Sequence, residues 1–376
     1  MLRKKLYEIA DIRAGGTPSR NNPDYWNGNI PWVKISNING KYVTTYDETI
    51  TELGLKNSSA KLFEKETILY TIFATLGRVG ILQFDATTNQ AIAGIKIKDN
   101  SISTDYLYYY LRSLESYVKD IGNGAAQQNI NQTILKNFAV PVISKEKQNQ
   151  ICSKLENIEN VLLKKQHDLA SLDELIKSRF IEMFENKGFE LLPIKELVDI
   201  KKISAKKKFN SDEAIKYIDI SSIDNERNVI KGYTNYLMKD APSRAQQCLK
   251  KNDILISTVR PNLKNIAIFK DDDLYYVGSS GFCILRAKNV NSDYLKYVVL
   301  DDKFTNAMAD LTTGASYPAI RDDDVLNYLM INAPIELQNK FADFVQQIDK
   351  SKFIVQKEIK DLQELLDKKM DEYFGQ

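Results

Sequence analysis

The chain has 376 residues, of which 43% are hydrophobic and 27% are charged, so about two to three domains can each bury an apolar core. Its 52 basic and 50 acidic residues leave a net charge of only +2, which excludes a protein that binds nucleic acid through overall charge alone. No apolar run reaches the roughly 18 to 20 residues of a membrane span, and the first residues lack the apolar core of a signal peptide. We therefore expect a cytoplasmic protein.

Residues 1–143 predict a compact α+β domain. Strand-like apolar runs, 67–74 and 92–97 among them, alternate with turns rich in Gly, Asn and Asp. Thr104 is a capping residue in front of the apolar run DYLYYYLRSL, which predicts a short helix. Small sheets with a few short helices follow from this pattern.

Residues 144–186 predict a long helix. The segment contains no proline, and its apolar residues recur at alternating steps of four and three, with Lys165 interrupting. This spacing is typical of an a/d seam that needs a partner helix. The seam positions are Ile151, Leu155, Ile158, Leu162, Leu169, Leu172 and Ile176.

The same order then recurs. Residues 187–334 predict a second α+β domain, with strands at 253–259 and 281–285 and a short helix after the capping residue Ser292. Residues 335–376 predict a second long helix, whose seam is interrupted by Lys352. Its seam positions are Phe341, Val345, Ile348, Val355, Ile359, Leu362 and Leu366.

Matching segments in the two halves indicate a tandem duplication. Asp11 lies 188 residues before Asp199, Asp105 lies 188 residues before Asp293, and 188 is half of the chain length. We therefore expect an α+β fold of two globular domains and two long antiparallel helices that form a coiled coil, with an internal pseudo-two-fold repeat. The alternative is that each apolar stripe packs against its own domain.

The residues that usually carry catalysis are scarce. The only histidine, His167, falls inside the first long helix, where we expect a solvated side chain. The three isolated cysteines, Cys152, Cys248 and Cys283, form neither a disulfide framework nor a metal site. Phosphate-binding loops rich in glycine are missing as well. We expect no catalytic residues, no metal and no cofactor bound by this chain.

Two patterns have a catalytic interpretation that we reject. Asn22-Pro23-Asp24-Tyr25 is similar to the Asn-Pro-Pro-Tyr motif of amino-methyltransferases, but Asp24 replaces the second proline and no adenosylmethionine loop is present. The carboxylate groups at 271–273 and 322–324 lie in turn-like contexts, which favours solvated loop charge over acid–base chemistry.

Candidate DNA contacts lie on loops and turns. A basic stretch covers 201–208, and a tight turn with Arg260 follows the strand at 253–258 where the first half has Arg78. Arginine or lysine on such a turn can pair with guanine, and Asn or Gln with adenine. Matched loops near 127 and 317 carry amides in one half and a tyrosine in the other. The candidates are Arg20, Arg78, Gln127, Gln128, Lys206, Lys207, Lys208, Arg260, Asn262, Lys264 and Tyr317; for each of them a purely structural or solvated role stays open.

Several segments resemble the specificity subunit of type I restriction–modification systems. In the first half these are GGTPSRNNPDYWNGNIPWVKISNI, NGAAQQNINQTILKNFAVPV and KEKQNQI, and in the second half KNDILISTVRP, TTGASYPAIRDDDVLNYLMINAP and IELQNKF. The resemblance covers essentially the whole chain, including the order of domain and helix. The second half lacks a Gly-Thr-Pro…Trp-Gly segment, and its pre-helix segment ends Asn332-Ala333-Pro334 where the first half has Val140-Pro141.

This resemblance implies a target recognition domain at 1–143 and another at 187–334, each reading one half of a bipartite, asymmetric site in double-stranded DNA. The helices at 144–186 and 335–376 correspond to the central and C-terminal conserved regions. They would set the spacer and carry two methyltransferase (M) subunits, with restriction/translocase (R) subunits as further partners. S-adenosylmethionine and ATP are then expected on those partners, and the chain itself is not an enzyme.

Three other functions stay open on the residues alone. A stand-alone sequence-specific DNA-binding protein is the main alternative, although no helix-turn-helix is recognisable and the low net charge gives weak phosphate affinity. An enzyme with an unrecognised site and a coiled-coil adaptor without DNA contact are the others.

Overall fold

Helices and small sheets alternate along residues 2–123, 130–312 and 318–375, which are those that the computed structural model describes. The chain divides into two units. Unit 1 consists of Met1–Asp168 and Val355–Gln376, and unit 2 of Leu169–Ile354. Each unit therefore combines one globular part with segments of two long helices, and both globular parts are α+β.

The globular part of unit 1 contains short strands and short helices, and the first long helix begins in it. The strands are β1 (Arg3–Lys5), β2 (Ala10–Ala14), β3 (Trp26–Val33), β4 (Tyr42–Val43), β5 (Glu48–Ile50), β6 (Ile68–Thr71), β7 (Val79–Leu82), β8 (Thr87–Thr88), β9 (Ile92–Ile97) and β10 (Ala139–Pro141). The helices are α1 (Leu6–Ile9), α2 (Glu52–Lys56), α3 (Thr104–Ser113), α4 (Glu115–Asn123), α5 (Gln132–Lys136) and α6 (Lys145–Phe184).

Three sheets organise the strands of unit 1. The largest has the order β2-β9-β6-β7-β4, the second has the order β5-β3-β8, and β1 pairs with β10. β6 is buried along its whole length because it is a central strand covered on both faces, which is why its sequence, Ile-Leu-Tyr-Thr, is almost uniformly apolar. Gly94 lies in β9 beneath the ring of Phe63, where a larger side chain would clash.

Unit 2 repeats the general order of these elements, with twelve strands among its described residues where unit 1 has ten. Its strands are β11 (Leu191–Pro193), β12 (Val198–Asp199), β13 (Ala214–Ile218), β14 (Ile223–Asp224), β15 (Val229–Ile230), β16 (Thr234–Leu237), β17 (Ala245–Cys248), β18 (Ile254–Ser257), β19 (Ile266–Ile268), β20 (Tyr276–Ser279), β21 (Phe282–Ala287) and β22 (Leu329–Ile331). Its helices are α7 (Ile194–Leu197), α8 (Ala205–Lys208), α9 (Ser292–Leu300), α10 (Asp302–Asp310), α11 (Asp322–Leu326) and α12 (Ile335–Phe374).

The sheets of unit 2 have the orders β12-β21-β18-β19, β16-β13-β20-β17, β14-β15 and β11-β22. In both units a central hairpin, β6–β7 or β18–β19, is antiparallel. In both, the first strand of the second sheet, β3 or β13, has one antiparallel and one parallel neighbour.

Side-chain contacts repeat with the elements. Gln148 accepts a hydrogen bond from the Ser103 N–H at 2.9 Å, and Gln338 accepts one from the Asn291 N–H at the same distance. Both donors are helix N-caps, so the same amide fixes the start of α3 to α6 and that of α9 to α12. The caps lie one residue before the predicted Thr104 and Ser292, because the side chains of Ser103 and Asn291 accept the first free backbone N–H groups.

Two 40-residue helices lie where the spacing predicts them. In unit 1 the beginning of α6 shares one core cluster with the end of α12, through Leu155, Leu366 and Phe374. In unit 2 the end of α6 and the beginning of α12 share another core cluster, through Ile176 and Phe341. Within each unit the two helix segments are thus antiparallel, and the apolar stripe also packs against the globular part. All fourteen seam residues are buried or half-buried.

The two lysines that interrupt the apolar spacing make ion pairs with the facing helix. Lys165 Nζ lies 2.7 Å from Glu358 in unit 1, and Lys352 Nζ lies 2.6 Å from Asp173 in unit 2. Charged side chains at these positions therefore bridge the helices where an apolar residue is missing.

Candidate nucleic-acid interface

Eight of the predicted DNA-contact residues lie in two matched places of the units. The first is the connection between the two main sheets, which holds Arg20 in unit 1 and Lys206–Lys208 in unit 2. The second is the turn of the central hairpin, which holds Arg78 in unit 1 and Arg260, Asn262 and Lys264 in unit 2. The duplicated fold thus brings Arg20 and Lys206–Lys208, which the sequence analysis did not match, to equivalent positions, and it keeps Arg78 and Arg260 on the turns that the sequence matches.

Arg20 is exposed but held in one orientation. Its guanidinium carbon lies 3.5 Å from the ring centroid of Trp26 and 5.0 Å from that of Trp32, a cation–π arrangement. Its Nη2 atom donates to Glu48 at 2.5 Å. Burial raises the pKa of Glu48, but hydrogen bonds from Arg20 and Lys34 outweigh that effect and lower it below its ordinary value. Glu48 is therefore ionised at neutral pH and fixes the arginine.

The two tryptophans form the platform beneath Arg20. Their rings meet edge to face with centroids 5.1 Å apart, and the indole N–H of Trp32 donates to the Gly16 carbonyl at 3.1 Å. Trp32 is buried, whereas Trp26 is only half-buried. The Asn22 side chain accepts from the Asp24 N–H at 3.1 Å and caps a short 3₁₀ turn, so the segment that is similar to a methyltransferase motif has a local structural role.

The basic stretch of unit 2 forms the four-residue helix α8. Ala205 is buried, and the three lysines that follow are exposed. Lys208 donates to the Leu274 carbonyl and lies over the ring of Phe209, so its ammonium group has a structural partner. Lys206 and Lys207 remain the better candidates for phosphate contacts.

The hairpin turn of unit 1 presents Arg78. Ala74 and Gly77 have positive φ values of 62° and 82°, which close the turn tightly. The Arg78 backbone N–H donates to the Thr71 hydroxyl at 2.9 Å. Its side chain is exposed and makes no hydrogen bond or ion pair within the described part of the chain. The backbone of Arg78 is fixed, and its guanidinium points outward.

The hairpin turn of unit 2 is held more firmly. Arg260 and Lys264 both adopt the left-handed region, with φ values of 49° and 50°. The Arg260 N–H donates to the Pro318 carbonyl at 2.9 Å. Lys264 Nζ lies 2.6 Å from Asp302 and 3.0 Å from the Leu300 carbonyl, so it anchors the turn to the junction of α9 and α10. The side chains of Arg260 and Asn262 are exposed.

The pre-helix loops meet the hairpins in both units. The Ile130 N–H donates to the Ile72 carbonyl at 3.1 Å, and the Ile320 N–H donates to the Thr258 carbonyl at 2.9 Å. The candidates Gln127, Gln128 and Tyr317 lie outside the described residues. The described ends of their loops adjoin the hairpins that carry Arg78 and Arg260.

One further turn belongs to this region, and none of the sequence patterns above predicts its role. The β14–β15 hairpin of unit 2 contacts the Arg260 turn through Asn225, whose amide donates to the Leu263 carbonyl at 3.0 Å, and Asn228, whose amide donates to the Lys264 carbonyl at 3.1 Å. The segment Asp-Asn-Glu-Arg-Asn is typical of a turn and could have been recognised as one. Its position beside Arg260 could not have been, because that depends on the sheet arrangement.

The thiol groups are poorly suited to nucleophilic chemistry. Cys152, Cys248 and Cys283 are buried, and burial raises the pKa of each thiol, in Cys152 to about 12. A thiol that stays protonated at neutral pH is a poor nucleophile. His167 is exposed on α6. Within residues 2–123, 130–312 and 318–375, no group of three or more His, Cys, Asp or Glu side chains could hold a metal ion.

Each of the two carboxylate groups, 271–273 and 322–324, contains an ion-paired aspartate. Asp273 pairs with Lys216 at 2.6 Å, and hydrogen bonds from Lys216 and the Tyr275 N–H lower the pKa of that carboxyl. Asp322 lies in the first turn of α11 rather than in a loop, and it pairs with Lys202.

Of the helices in the described part of the chain, none is both long and apolar enough to cross a membrane.

Solved structures with a similar fold come from type I restriction–modification systems. A chain from a structure described as the basis of complex assembly and conformational transition of the type I system superposes with a TM-score of 0.63 at 15% identity, covering 99% of this chain and 97% of the other. The S subunit of such a system from M. genitalium gives a TM-score of 0.52 at 15% identity, covering 98% and 94%. At this identity the likeness shows the fold.

Sequence comparison goes further. The family model of the type I restriction modification DNA specificity domain matches residues 3–172 and 186–364, one copy in each half, and the chain therefore belongs to this family. The MjaIX specificity subunit of Methanocaldococcus jannaschii is 28% identical over 97% of this chain and 90% of its own length. The HindI specificity subunit of Haemophilus influenzae is 29% identical over 38% of this chain and 32% of its own length.

Proposed function

We propose that this chain gives a type I restriction–modification enzyme its DNA sequence specificity by reading a bipartite, asymmetric site, with one globular part for each half-site. This proposal is based on the matched hairpin turns of the two units. The same scaffold presents Arg78 in unit 1 and Arg260 with Asn262 in unit 2. Different side chains on equivalent turns are what two readers of different half-sites require.

Base and phosphate contacts are proposed for the exposed candidates. Arg78, Arg260 and Asn262 suit base edges because rigid turns hold them. Lys206 and Lys207 suit phosphates because they are exposed lysines on one short helix. Arg20 is proposed as an oriented contact, since Glu48 and Trp26 fix its guanidinium. The structure favours an anchoring role for Lys264 and Lys208.

The long helices are proposed to pair as an antiparallel coiled coil that relates the two halves by a pseudo-two-fold axis and sets the DNA spacer. The shared apolar clusters and the Lys165–Glu358 and Lys352–Asp173 ion pairs support this pairing. A helix of 40 residues is about 60 Å long at ~1.5 Å per residue. That length corresponds to about 18 base pairs at ~3.4 Å each, which separates two short half-sites.

The partners follow from the same proposal. The helices would carry two methyltransferase subunits that bind S-adenosylmethionine, and restriction/translocase subunits that use ATP would join them in the cytoplasm. This chain would contribute recognition and scaffolding but no catalytic group. The buried, protonated thiols support that division of roles.

Methylome sequencing tests the proposal. Cells that carry the chain with its methyltransferase should show one bipartite motif with methylated adenines, and deletion of this chain should abolish it. A motif that survives the deletion would contradict the proposal.

A gel shift separates the proposal from the stand-alone alternative. We expect tight, sequence-dependent binding only when the co-purified methyltransferase is present. Equal binding by the isolated chain would favour an independent DNA-binding protein, and no binding in any complex would favour an adaptor.

A further inference from the structure

The β14–β15 hairpin of unit 2 is rigid although it is exposed. Asp224 Oδ1 accepts hydrogen bonds from the backbone N–H groups of Glu226 and Arg227, both at 3.1 Å, and thereby closes the turn. Asn228 completes it with a positive φ of 53°, which asparagine tolerates better than most residues. The backbone of the turn is thus specified by its own side chains.

The same hairpin is fixed to the Arg260 turn. The amides of Asn225 and Asn228 donate to two successive carbonyls, those of Leu263 and Lys264, at 3.0 and 3.1 Å. Lys264 is in turn anchored to Asp302 and to the Leu300 carbonyl. The tip of β14–β15 and the Arg260 turn therefore form one continuous surface with a common support.

Three non-glycine residues of this surface have a positive φ. Asn228, Arg260 and Lys264 are non-glycine residues in the left-handed region, and the hydrogen bonds just described hold all three. Strained conformations of this kind persist only where the surrounding structure enforces them, and they cluster at sites that bind or switch. Strain and anchoring together favour a binding surface over a passive loop.

Arg227 projects from the centre of this turn. It is exposed, and within the described part of the chain its side chain makes no hydrogen bond or ion pair. The neighbouring Glu226 is exposed as well and would repel a phosphate group. An arginine beside a carboxylate is therefore poorly suited to the DNA backbone. It suits a G·C base pair, where arginine pairs with guanine O6 and N7 and glutamate can accept from cytosine N4.

We propose that Arg227 is a specificity-determining residue of unit 2, which recognises a guanine in one half-site from a turn that Asn225 and Asn228 fix to the Arg260 turn. This inference rests on the proposed function and names the base contact that the function needs. Unit 2 thereby reads DNA with two adjacent turns rather than one.

The test uses the complete complex of this chain with its methyltransferase. Methylation rates are measured on a DNA library in which every base pair of the recognised site is changed in turn. Arg227→Ala should reduce discrimination at one G·C pair of one half-site by about tenfold or more and leave the other half-site unchanged. Arg227→Lys should lose part of this discrimination, because lysine keeps the positive charge but lacks the planar fork with which arginine contacts O6 and N7 together.

Lys288→Ala is the matched control. It also removes one exposed positive charge from unit 2. Phe282 at the beginning of β21 pairs with Ser257, just before the Arg260 turn, whereas Lys288 follows the other end of β21. Six strand residues separate the two ends by about 20 Å. We expect its base preferences to match those of the unchanged complex at every position.

Two results would overturn the inference. One is an unchanged preference in Arg227→Ala; the other is a uniform loss on all sequences with a weaker salt dependence, which would indicate a phosphate contact. If instead the unchanged complex shows no sequence preference, the proposed function itself fails, and that outcome is visible before any variant is compared.

Discussion

Two buried tyrosines of unit 1 carry hydroxyl groups that have no hydrogen-bond partner in the described part of the chain, those of Tyr70 and Tyr110. Burial raises the pKa of both, so both hydroxyls stay protonated at neutral pH. Unit 2 has Ile256 and Val298 at the equivalent positions of β18 and α9, where no hydroxyl needs a partner. Unit 1 therefore bears a desolvation cost that unit 2 avoids.

Removal of these hydroxyls should stabilise the protein. We expect Tyr70→Phe and Tyr110→Phe each to raise the free energy of unfolding by about 1 kcal/mol, since an unsatisfied buried donor is lost and the ring is kept. Tyr106→Phe is the control, because its hydroxyl donates to the Pro141 carbonyl at 3.1 Å and its loss should cost about 1 kcal/mol. Calorimetric melting shows whether each substitution raises or lowers the stability of the protein. A lower melting midpoint for Tyr70→Phe would show that its hydroxyl has a partner after all.

Among the candidate contacts, residue type was easier to predict than residue role. The sequence places Arg260 and Lys264 on one turn, and either could reach DNA. Only the fold shows that Lys264 contacts Asp302, 38 residues further along the chain, whereas the side chain of Arg260 is exposed. Similarly, the Glu48 carboxylate that orients Arg20 lies 28 residues away. Partners at such separations depend on strand order, which a single sequence does not reveal.

At the scale of the elements, an aromatic residue near the end of each long helix closes a core. Phe374 of α12 lies with its ring centroid 5.3 Å from Tyr106 and 6.0 Å from Tyr110 in unit 1. Phe184 of α6 lies 4.8 Å from Tyr294 and 5.5 Å from Phe341 in unit 2. Each long helix therefore completes the core of the unit in which it ends.

Replacing these aromatic residues should weaken the units selectively. Phe374→Ala should destabilise unit 1 and Phe184→Ala unit 2, each by about 3 to 5 kcal/mol, because both side chains are almost fully buried. Hydrogen exchange of peptides from each unit locates the effect. Phe353→Ala on α12 is the control, since that side chain is 69% exposed and should change stability by less than about 0.5 kcal/mol. Equal loosening of both units by Phe374→Ala would contradict the assignment of the helix ends.

The elements with regular spacing are those that the sequence predicts best. The seam positions, the central strands β6 and β18 and the helices α3 and α9 lie where apolar periodicity places them. The ion pair between the buried Asp253 and the half-buried Arg286, with contacts of 2.6 and 2.8 Å, was not predicted. Both residues are charged and 33 positions apart, and only the pairing of β18 with β21 brings them together. The spacing of apolar residues predicts which apolar side chains are buried, but it does not predict ion pairs in the interior.

At the scale of the whole molecule, the two units share the contacts that hold their elements in place but differ in the exposed side chains of their turns. The contacts of Gln148 and Gln338 and those of Tyr106 and Tyr294 are the same in both units. By contrast, the turn of unit 1 carries one exposed arginine, and that of unit 2 carries Arg260 and Asn262 beside a second hairpin. A shared scaffold with different exposed side chains is what two readers of different half-sites require, so this division supports the proposed function.

If helix length sets the spacer, paired deletions should change it. Removal of seven residues from each helix, 165–171 and 352–358, deletes one heptad per helix and keeps the apolar seam in register. Each helix shortens by about 10 Å, which equals about three base pairs of DNA. We expect methylome sequencing to show the same two half-sites with a spacer shorter by about three base pairs.

A deletion in one helix alone is the matched control for that experiment. It leaves a seven-residue segment of the other helix, with its seam positions, without a facing segment, so we expect loss of assembly rather than a new spacer. Methylation that continues at the original spacing after the paired deletion would mean that helix length does not determine the distance between half-sites. Because the deleted segments exclude every candidate DNA contact, a change confined to the spacer would assign distance to the helices and base recognition to the turns.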